Sequence, residues 1–460
     1  MNTKKNVFKD SLVIGFAMFA VFFGAGNLVF PPQIGLVSGS SVFPAIIGLT
    51  LSGILFPMLA VAAVGNVGTN LEDICRHAHA KLHLAFMAVA ILGVVFGTIP
   101  RCGGVAYEIG LCGIFPSIQS TAVKWAFLLV FFGISFLLAS SKSSVMDNIG
   151  KFITPILLIC LLIIVVLTIV NPIGSPKGGV VENSFSNAFL TAINTGDVGT
   201  GILCGGIFIA TLNSKGYKPG KEQKKILFNV IVVAFIILFI VYAGLCYLGS
   251  TGTDLFAPDT DNTVLLVGLI RKLAGYTGIV VLSLAIIFAC FTTAAGMIAT
   301  AADWVVMLSK EKVPYKLAAL LLAVAIMLVA STGVSFVIKL SGPLFMLLFP
   351  MCIALTVLGV FKKFIPNDGA WKGAVLMAII VGFYQAYSVA IANGLIPAGP
   401  AFIDNIFNAI PLSQYGLTWL VPCLVGGVVG AIIWKALGKE SIVDEIDKII
   451  AEENAESVSA

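Results

Sequence analysis

Apolar runs of about twenty residues recur along this chain from Ser11 almost to its end, and each is long enough to cross about 30 Å of hydrocarbon as a helix. Inside lipid no water satisfies backbone N–H and C=O groups, so an uninterrupted run of this length must bond to itself as a helix. The Gly, Pro, Asn and Lys residues that end helices divide the chain into spans at 11–30, 41–64, 84–100, 122–140, 150–170, 186–211, 226–249, 277–302, 317–332, 336–360, 373–393 and 415–437. The expected fold is an all-α polytopic membrane protein with about twelve transmembrane helices. Only 11% of the residues are charged, against about 25% in soluble domains, so the chain cannot clothe a water-facing surface. No connecting stretch is long enough for a separate soluble domain. Residues 1–438 therefore form one membrane domain, with the lipid bilayer as an obligatory partner. The stretch 439–460 is an acidic tail with seven Asp or Glu, mildly amphipathic around Ile442, Ile446 and Ile449. It reads as a solvated helix, and no function follows from it.

The formal charge of +5 needs no nucleic-acid partner, because the basic residues sort by loop. With the N-terminus inside, the alternate segments on that side carry 21 of the 27 Lys and Arg. The positive-inside rule then places both termini in the cytoplasm. Lys4, Lys5 and Lys9 precede the first apolar run as in a signal peptide, yet no A-x-A cleavage site follows, and a retained first span is the better reading. The nine cysteines are scattered and suit small apolar packing, with a Cys102–Cys112 bridge left open. His77, His79 and His83 fall in a short loop without a metal-binding spacing, and read as solvated.

Two spans are interrupted in their middles. The first reads Phe22-Phe23-Gly24-Ala25-Gly26-Asn27, closed by Pro31 and Pro32. Glycines beside an amide and paired prolines favour backbone that leaves the helix. The sixth holds Asn194-Thr195-Gly196-Asp197 within an otherwise apolar segment. Unpaired backbone at that depth is tolerated only where protein or a water-filled cavity covers it. The two breaks occupy corresponding places in two five-helix halves, about 11–170 and 186–360, followed by two extra helices at 373–437. Paired interruptions of this kind point to a transporter's binding site. Gly24, Ala25, Gly26, Asn27, Asn194, Thr195, Gly196 and Asp197 are the candidate substrate residues. Asp197 is open to three roles: holding a substrate ammonium, coordinating a cation, or accepting hydrogen bonds from the broken helix. Thr292 and Thr293, mid-span in the eighth run, either supply hard oxygen ligands to an alkali cation or bond back to the preceding turn. Arg101 and Glu108 flank a glycine-rich turn after the third span, a place for an external gate or an ion pair.

No nucleophile elbow, phosphate loop or dinucleotide fingerprint is present, so an enzyme is not expected. A channel would need a set of polar-faced helices, which the sequence does not offer.

The stretch F-F-G-A-G-N-L-V-F-P-P at 22–32 resembles the first-span signature of the bacterial branched-chain amino acid:cation symporters, the LIVCS family. Ile99-Pro100-Arg101 with Tyr107-Glu108-Ile109-Gly110 is similar to that family's second signature. The resemblance covers the whole chain in length and span order. It departs at Thr195-Gly196-Asp197, where the family carries Thr-Met-Asp. It implies uptake of leucine, isoleucine and valine across the bacterial inner membrane with sodium, or less often protons. It further implies the LeuT-type fold of five plus five inverted helices and two more. In that fold a sodium site would use the carbonyls of Ala20, Phe23 and Ala289 with the hydroxyls of Thr292 and Thr293. Proton-coupled relatives often carry a lysine from span five, whereas residues 152–170 contain no Lys, Arg or His. Sodium is the expected coupling ion. The alternatives are a same-fold symporter for alanine, serine or a nucleobase, or proton coupling.

Overall fold

The computed structural model describes residues 6–141 and 145–459, with side chains described outside positions 25, 26, 141, 145–154 and 453–459. Its helices are α1 (Val7–Phe22), α2 (Ala25–Ser38), α3 (Val42–Val67), α4 (Leu82–Ile114), α5 (Thr121–Ser141), α6 (Val145–Val170), α7 (Ser184–Ile193), α8 (Asp197–Ser214), α9 (Lys221–Ser250), α10 (Asn262–Leu308), α11 (Tyr315–Ala330), α12 (Val334–Val360), α13 (Asp368–Ala392) and α14 (Leu420–Ala436). Short helices also occur at Leu71–Arg76, Ala401–Asn408 and Glu445–Ser459. Among the described residues extended pairing is limited to an isolated bridge between Gly39 and Gly178.

Eight of the helices are long and apolar enough to cross a bilayer by themselves, α1 and α2 form a pair bent by 71°, and three shorter apolar helices lie at Pro155–Val170, α11 and α14. With α7 leading into α8, these are the twelve spans expected from the sequence. In the packing, α2 and α3 join α1, α8 and α9 in one group, while α4, α5 and α11 gather on α10. Helix α12 crosses α3, and α13 lies between α12 and α14. Backbones touch where the sequence places glycine. A Cβ on Gly35 would fall 1.8 Å from the Cys246 carbonyl oxygen, and one on Gly249 would fall 1.9 Å from that of Pro32. Small residues let α2 and α9 approach this closely, the common device where lipid offers no hydrophobic drive to pack.

Four readings are corrected or settled. The third span does not stop near residue 100, because α4 continues to Ile114 through two π-helical stretches, Val94–Thr98 and Ala106–Leu111. Gly103 and Gly104 make no turn there. They let α4 settle against Phe132 and Val334, which a Cβ would meet at 2.6 and 2.7 Å. Arg101 and Glu108 thus lie within a helix, and Glu108 accepts from Thr263 Oγ1 (2.9 Å) and from the Val334 amide (3.2 Å) rather than pairing with Arg101. All nine cysteines are free, so Cys102 and Cys112 form no bridge.

The third correction concerns the tail. Asp444 is fully buried, contacting Arg76 and His77 in the loop after α3 and Lys362 after α12. At the other end of the chain, Asp10 of α1 accepts from Lys215 Nζ (2.7 Å) and the Tyr217 hydroxyl (2.8 Å) after α8. Both chain ends and these loops share one face of the bundle, which we call the terminal face. His77 is likewise not solvated: it is 2% exposed and stacks on Trp371 with ring centroids 4.8 Å apart.

Candidate functional site

The break between α7 and α8 forms because the chain folds back on the last turn of α7. The amides of Asn194, Thr195 and Gly196 bond to the carbonyls of Thr191, Ala192 and Ile193 at 3.1, 3.1 and 3.0 Å. Gly196 then adopts φ 77°, in the left-handed region, and a Cβ there would lie 2.8 Å from the Phe345 ring. Only glycine meets both demands. Helix α8 restarts with Asp197 as its first residue, where the helix dipole favours a carboxylate.

In the other break, Phe23 and Gly24 separate α1 from α2. The Gly24 amide is already bonded to the Phe22 carbonyl at 3.1 Å. Helix α2 opens at Ala25 and Gly26, the position where a helix start leaves backbone N–H groups without an intrahelical acceptor. The side chains at these two positions lie outside the described residues.

The two breaks meet directly. Asn27 Nδ2 donates to Asp197 Oδ2 at 2.6 Å and to the Phe22 carbonyl at 2.5 Å, and it meets the Tyr242 hydroxyl of α9. Asn27, Asp197 and Tyr242 are all buried. Tyr242 escaped the sequence reading; its one signal was a hydroxyl in an otherwise aliphatic run.

Asp197 also lines a cavity of about 1070 Å³, with Thr195 and Gly196 beside it. The walls come from α1 down to Val13, from α8 down to Ile207 and from α10 down to Trp304. All three segments run from the level of the breaks toward the terminal face, so the cavity serves that face. Phe345 and Phe349 of α12 contribute apolar lining. Gly24, Asn27 and Asn194 are not among its lining residues. A cavity with mostly apolar walls and one carboxylate suits a solute with an apolar body and a cationic group.

The five candidate ion ligands come together on the same cavity. Ala20 of α1, Phe23 of the first break, and Ala289, Thr292 and Thr293 of α10 all line it. Thr292 Oγ1 donates to the Ala289 carbonyl at 3.0 Å, which uses its proton and leaves its lone pairs. The three loop histidines do not converge, and no cluster of three or more His, Cys, Asp or Glu that could hold a metal occurs among the described residues.

Sequence reading also missed the setting of Arg101. Its guanidinium is 2% exposed, between the rings of Phe30 (5.4 Å) and Phe345 (5.7 Å). It donates to the Asn194 carbonyl at 2.9 Å and to Ser341 Oγ at 3.4 Å, on the side of Phe345 away from the cavity. The cost of burying a cation in a span was the available signal.

Outside the membrane, His77 donates from Nδ1 to Asp368 (2.7 Å) and from Nε2 to Asp444 (3.1 Å). Burial alone would lower its pKa, but the two carboxylates outweigh it and the net shift is upward. Asp444 shifts the other way: desolvation pushes it up, and the bonds from His77, Lys362 and Arg76 pull it well below the carboxylate range.

Two broken spans that meet over a one-sided cavity in a twelve-span bundle define a multi-pass membrane transporter of the LeuT-type fold. Solved structures agree on the fold. A structure of Mhp1 in its inward facing conformation matches 93% of this chain and 91% of its own, with a TM-score of 0.61 at 15% identity. One of MhsT with L-phenylalanine matches 83% and 98%, with a TM-score of 0.53 at 15% identity. The chain belongs to the family described as branched-chain amino acid transport protein, whose model matches residues 7–437. Among curated relatives, the branched-chain amino acid permease BraB of Bacillus subtilis is 31% identical over 447 residues, covering 95% of this chain and 98% of its own. The branched-chain amino acid transport system 2 carrier protein of Pseudomonas aeruginosa is 29% identical over 439 residues, covering 94% and 97%.

Proposed function

We propose that this chain imports leucine, isoleucine and valine across the bacterial cytoplasmic membrane together with Na⁺, with its terminal face in the cytoplasm. The observation that carries the reading is the Asn27–Asp197 bond, which joins the two helix breaks at the rim of an apolar cavity. There the amides of Ala25 and Gly26 receive the substrate carboxylate, as a helix start does. Asp197 receives the ammonium, and apolar lining such as Phe349 and Leu348 receives the branched side chain. The names carried by the relatives support branched-chain amino acids over other solutes. The fold alone does not decide this, since Mhp1 is described as a nucleobase-cation-symport transporter.

For the ion, the oxygens of Ala20, Phe23, Ala289, Thr292 and Thr293 are uncharged and hard, as an alkali cation prefers, and residues 152–170 supply no basic side chain to replace it. Coupling requires that ion and amino acid each favour the state in which the other binds.

The test is uptake of radiolabelled leucine by purified protein in liposomes, with and without an inward sodium gradient. Uptake driven only by sodium is expected. Uptake driven by a proton gradient instead would reassign the ion, and alanine or uracil displacing leucine at equal concentration would reassign the solute. The orientation has its own test. A cysteine engineered within 213–225 should resist an impermeant label in intact cells, and efficient labelling would invert the topology.

A further inference from the structure

Arg101 is the buried cation of α4 for which no carboxylate lies within hydrogen-bonding or ion-pair distance among the described residues. Its contacts are one backbone carbonyl, one hydroxyl at 3.4 Å, and two ring faces. Nε is buried without a partner. A guanidinium carries five donors in a planar fork that matches a carboxylate, and here most of that fork is unused. Glu108, seven residues onward, is committed to Thr263 and Val334. Asp197 is bonded to Asn27 and makes no ion pair with Arg101 among the described residues.

The placement of this unused fork is specific. Phe30 lies one turn after Gly26 on α2, the helix that opens at the first break, and the guanidinium sits over its ring. Its strongest bond is to Asn194, the last residue before the left-handed Gly196 and Asp197. A fixed cation and a fixed anion therefore flank the same break, with the Phe345 ring between Arg101 and the cavity. That charge pattern is the complement of a zwitterion.

We propose that Arg101 recognises the carboxylate of the amino acid when the carrier opens to the face opposite the termini. Once Phe30 and Phe345 part, the guanidinium exchanges the Asn194 carbonyl and the Ser341 hydroxyl for the substrate carboxylate, while Asp197 takes the ammonium. When the carrier turns to the terminal face, Arg101 falls back on Asn194 and the two rings, closing the path behind the solute. A carboxylate answers both the charge of the guanidinium and its paired donors, which a carbonyl and a hydroxyl do not, so the exchange favours substrate capture. The assignment rests on the amino-acid reading given above.

The experiment compares L-leucine with L-leucinol, which keeps the ammonium and the side chain and lacks the carboxylate. Both compete against radiolabelled leucine for full-length protein in lipid nanodiscs. Wild-type protein should prefer leucine to leucinol by about a hundredfold. In Arg101→Gln the leucine affinity should fall at least tenfold while leucinol affinity stays within about threefold, so the preference collapses. Arg101→Lys keeps the charge without the fork and should fall between. An unchanged preference in either variant, or an equal loss for both ligands, overturns the proposal, because a packing defect does not distinguish the two. Should neither variant accumulate, phenylglyoxal decides on protein carrying Arg76→Lys and Arg271→Lys, in which Arg101 is the remaining arginine of three. Leucine should protect it and leucinol should not; equal protection by both overturns the assignment. If wild-type protein binds no leucine at all, the substrate reading itself fails, and this assignment with it.

Discussion

Among the described residues, charge is buried in two places, and the two are treated differently. At the terminal face Asp444 is met by Arg76, His77 and Lys362. Asp368 is met there by His77 and by the amide of Ile442 at 2.8 Å. Lys372, next along, caps the carbonyls of His77 and Ala78 at 3.0 and 3.1 Å. Every buried charge there has an answering group, and the result ties the tail to two loops. Between the helix breaks, Asp197 has an amide for company and Arg101 a carbonyl, a weak hydroxyl and two rings. A fully answered cluster has nothing left to offer a ligand, whereas an under-answered one keeps its capacity for something that arrives and leaves. On the proposed function, the first is scaffold and the second is machinery.

The largest effect expected from this contrast is at Asp197. Asp197→Asn keeps the shape and the bond partner Asn27 but removes the charge, and concentrative leucine uptake should fall at least a hundredfold with normal membrane insertion. Normal uptake in reconstituted protein would erase the distinction between the two clusters.

A smaller effect is expected at the threonines, which occupy a middle ground. The Thr292 hydroxyl is already bonded to Ala289, yet it lines the cavity. Thr292→Ala and Thr293→Ala should each raise the sodium midpoint of uptake several-fold, and the defect should shrink as sodium is raised. If both keep the wild-type midpoint, their hydroxyls serve the helix and the ion binds elsewhere.

At the terminal face the expectation reverses. Asp444→Ala removes the carboxylate shared by three cationic groups and leaves Arg76 with Asp73, His77 with Asp368 and Lys362 with Asp447; Arg76 and Lys362 also retain 33% and 17% side-chain exposure. The loss should be about 1–3 kcal/mol of stability, read as a lower melting temperature, with leucine affinity unchanged. A tenfold loss of affinity would show that the tail belongs to the transport machinery.

The smallest effect is in pH. His77 faces Asp368 and Asp444, with Arg76 and Asp73 on its own segment, Lys362 and Asp447 beside the tail, and Lys372 on α13. Its folded pKa is raised, so the stability it contributes is fully present below about pH 6.5 and fades as pH rises through the folded value. Melting temperature should therefore decline from pH 6 toward pH 9, and His77→Gln should flatten the slope. A rise with pH in the wild-type protein would contradict the paired imidazolium.

How legible these regions were in the sequence follows from the range of the contacts that make them. The twelve spans and both breaks were visible because each depends on local composition, such as Gly24, Gly26 and Gly196 within apolar runs. The true length of α4 was not, because Gly103 and Gly104 suggest a turn until Phe132 and Val334 are seen against them. The tail cluster joins residues 367 positions apart, and no local pattern announces that His77 will meet Asp444. Tyr242 is 215 positions from Asn27, and the setting of Arg101 depends on Asn194 and Phe345.

The one-sided cavity has a consequence for regulation of flux. On the proposed reading, in which the terminal face is cytoplasmic and transport runs inward, this conformation presents its site to the pool that transport fills rather than to the medium it draws from. As that pool grows, mass action holds more carriers in the same conformation with the site reoccupied, and fewer return to load again. Import then slows as the cell becomes replete, and the brake is the product itself.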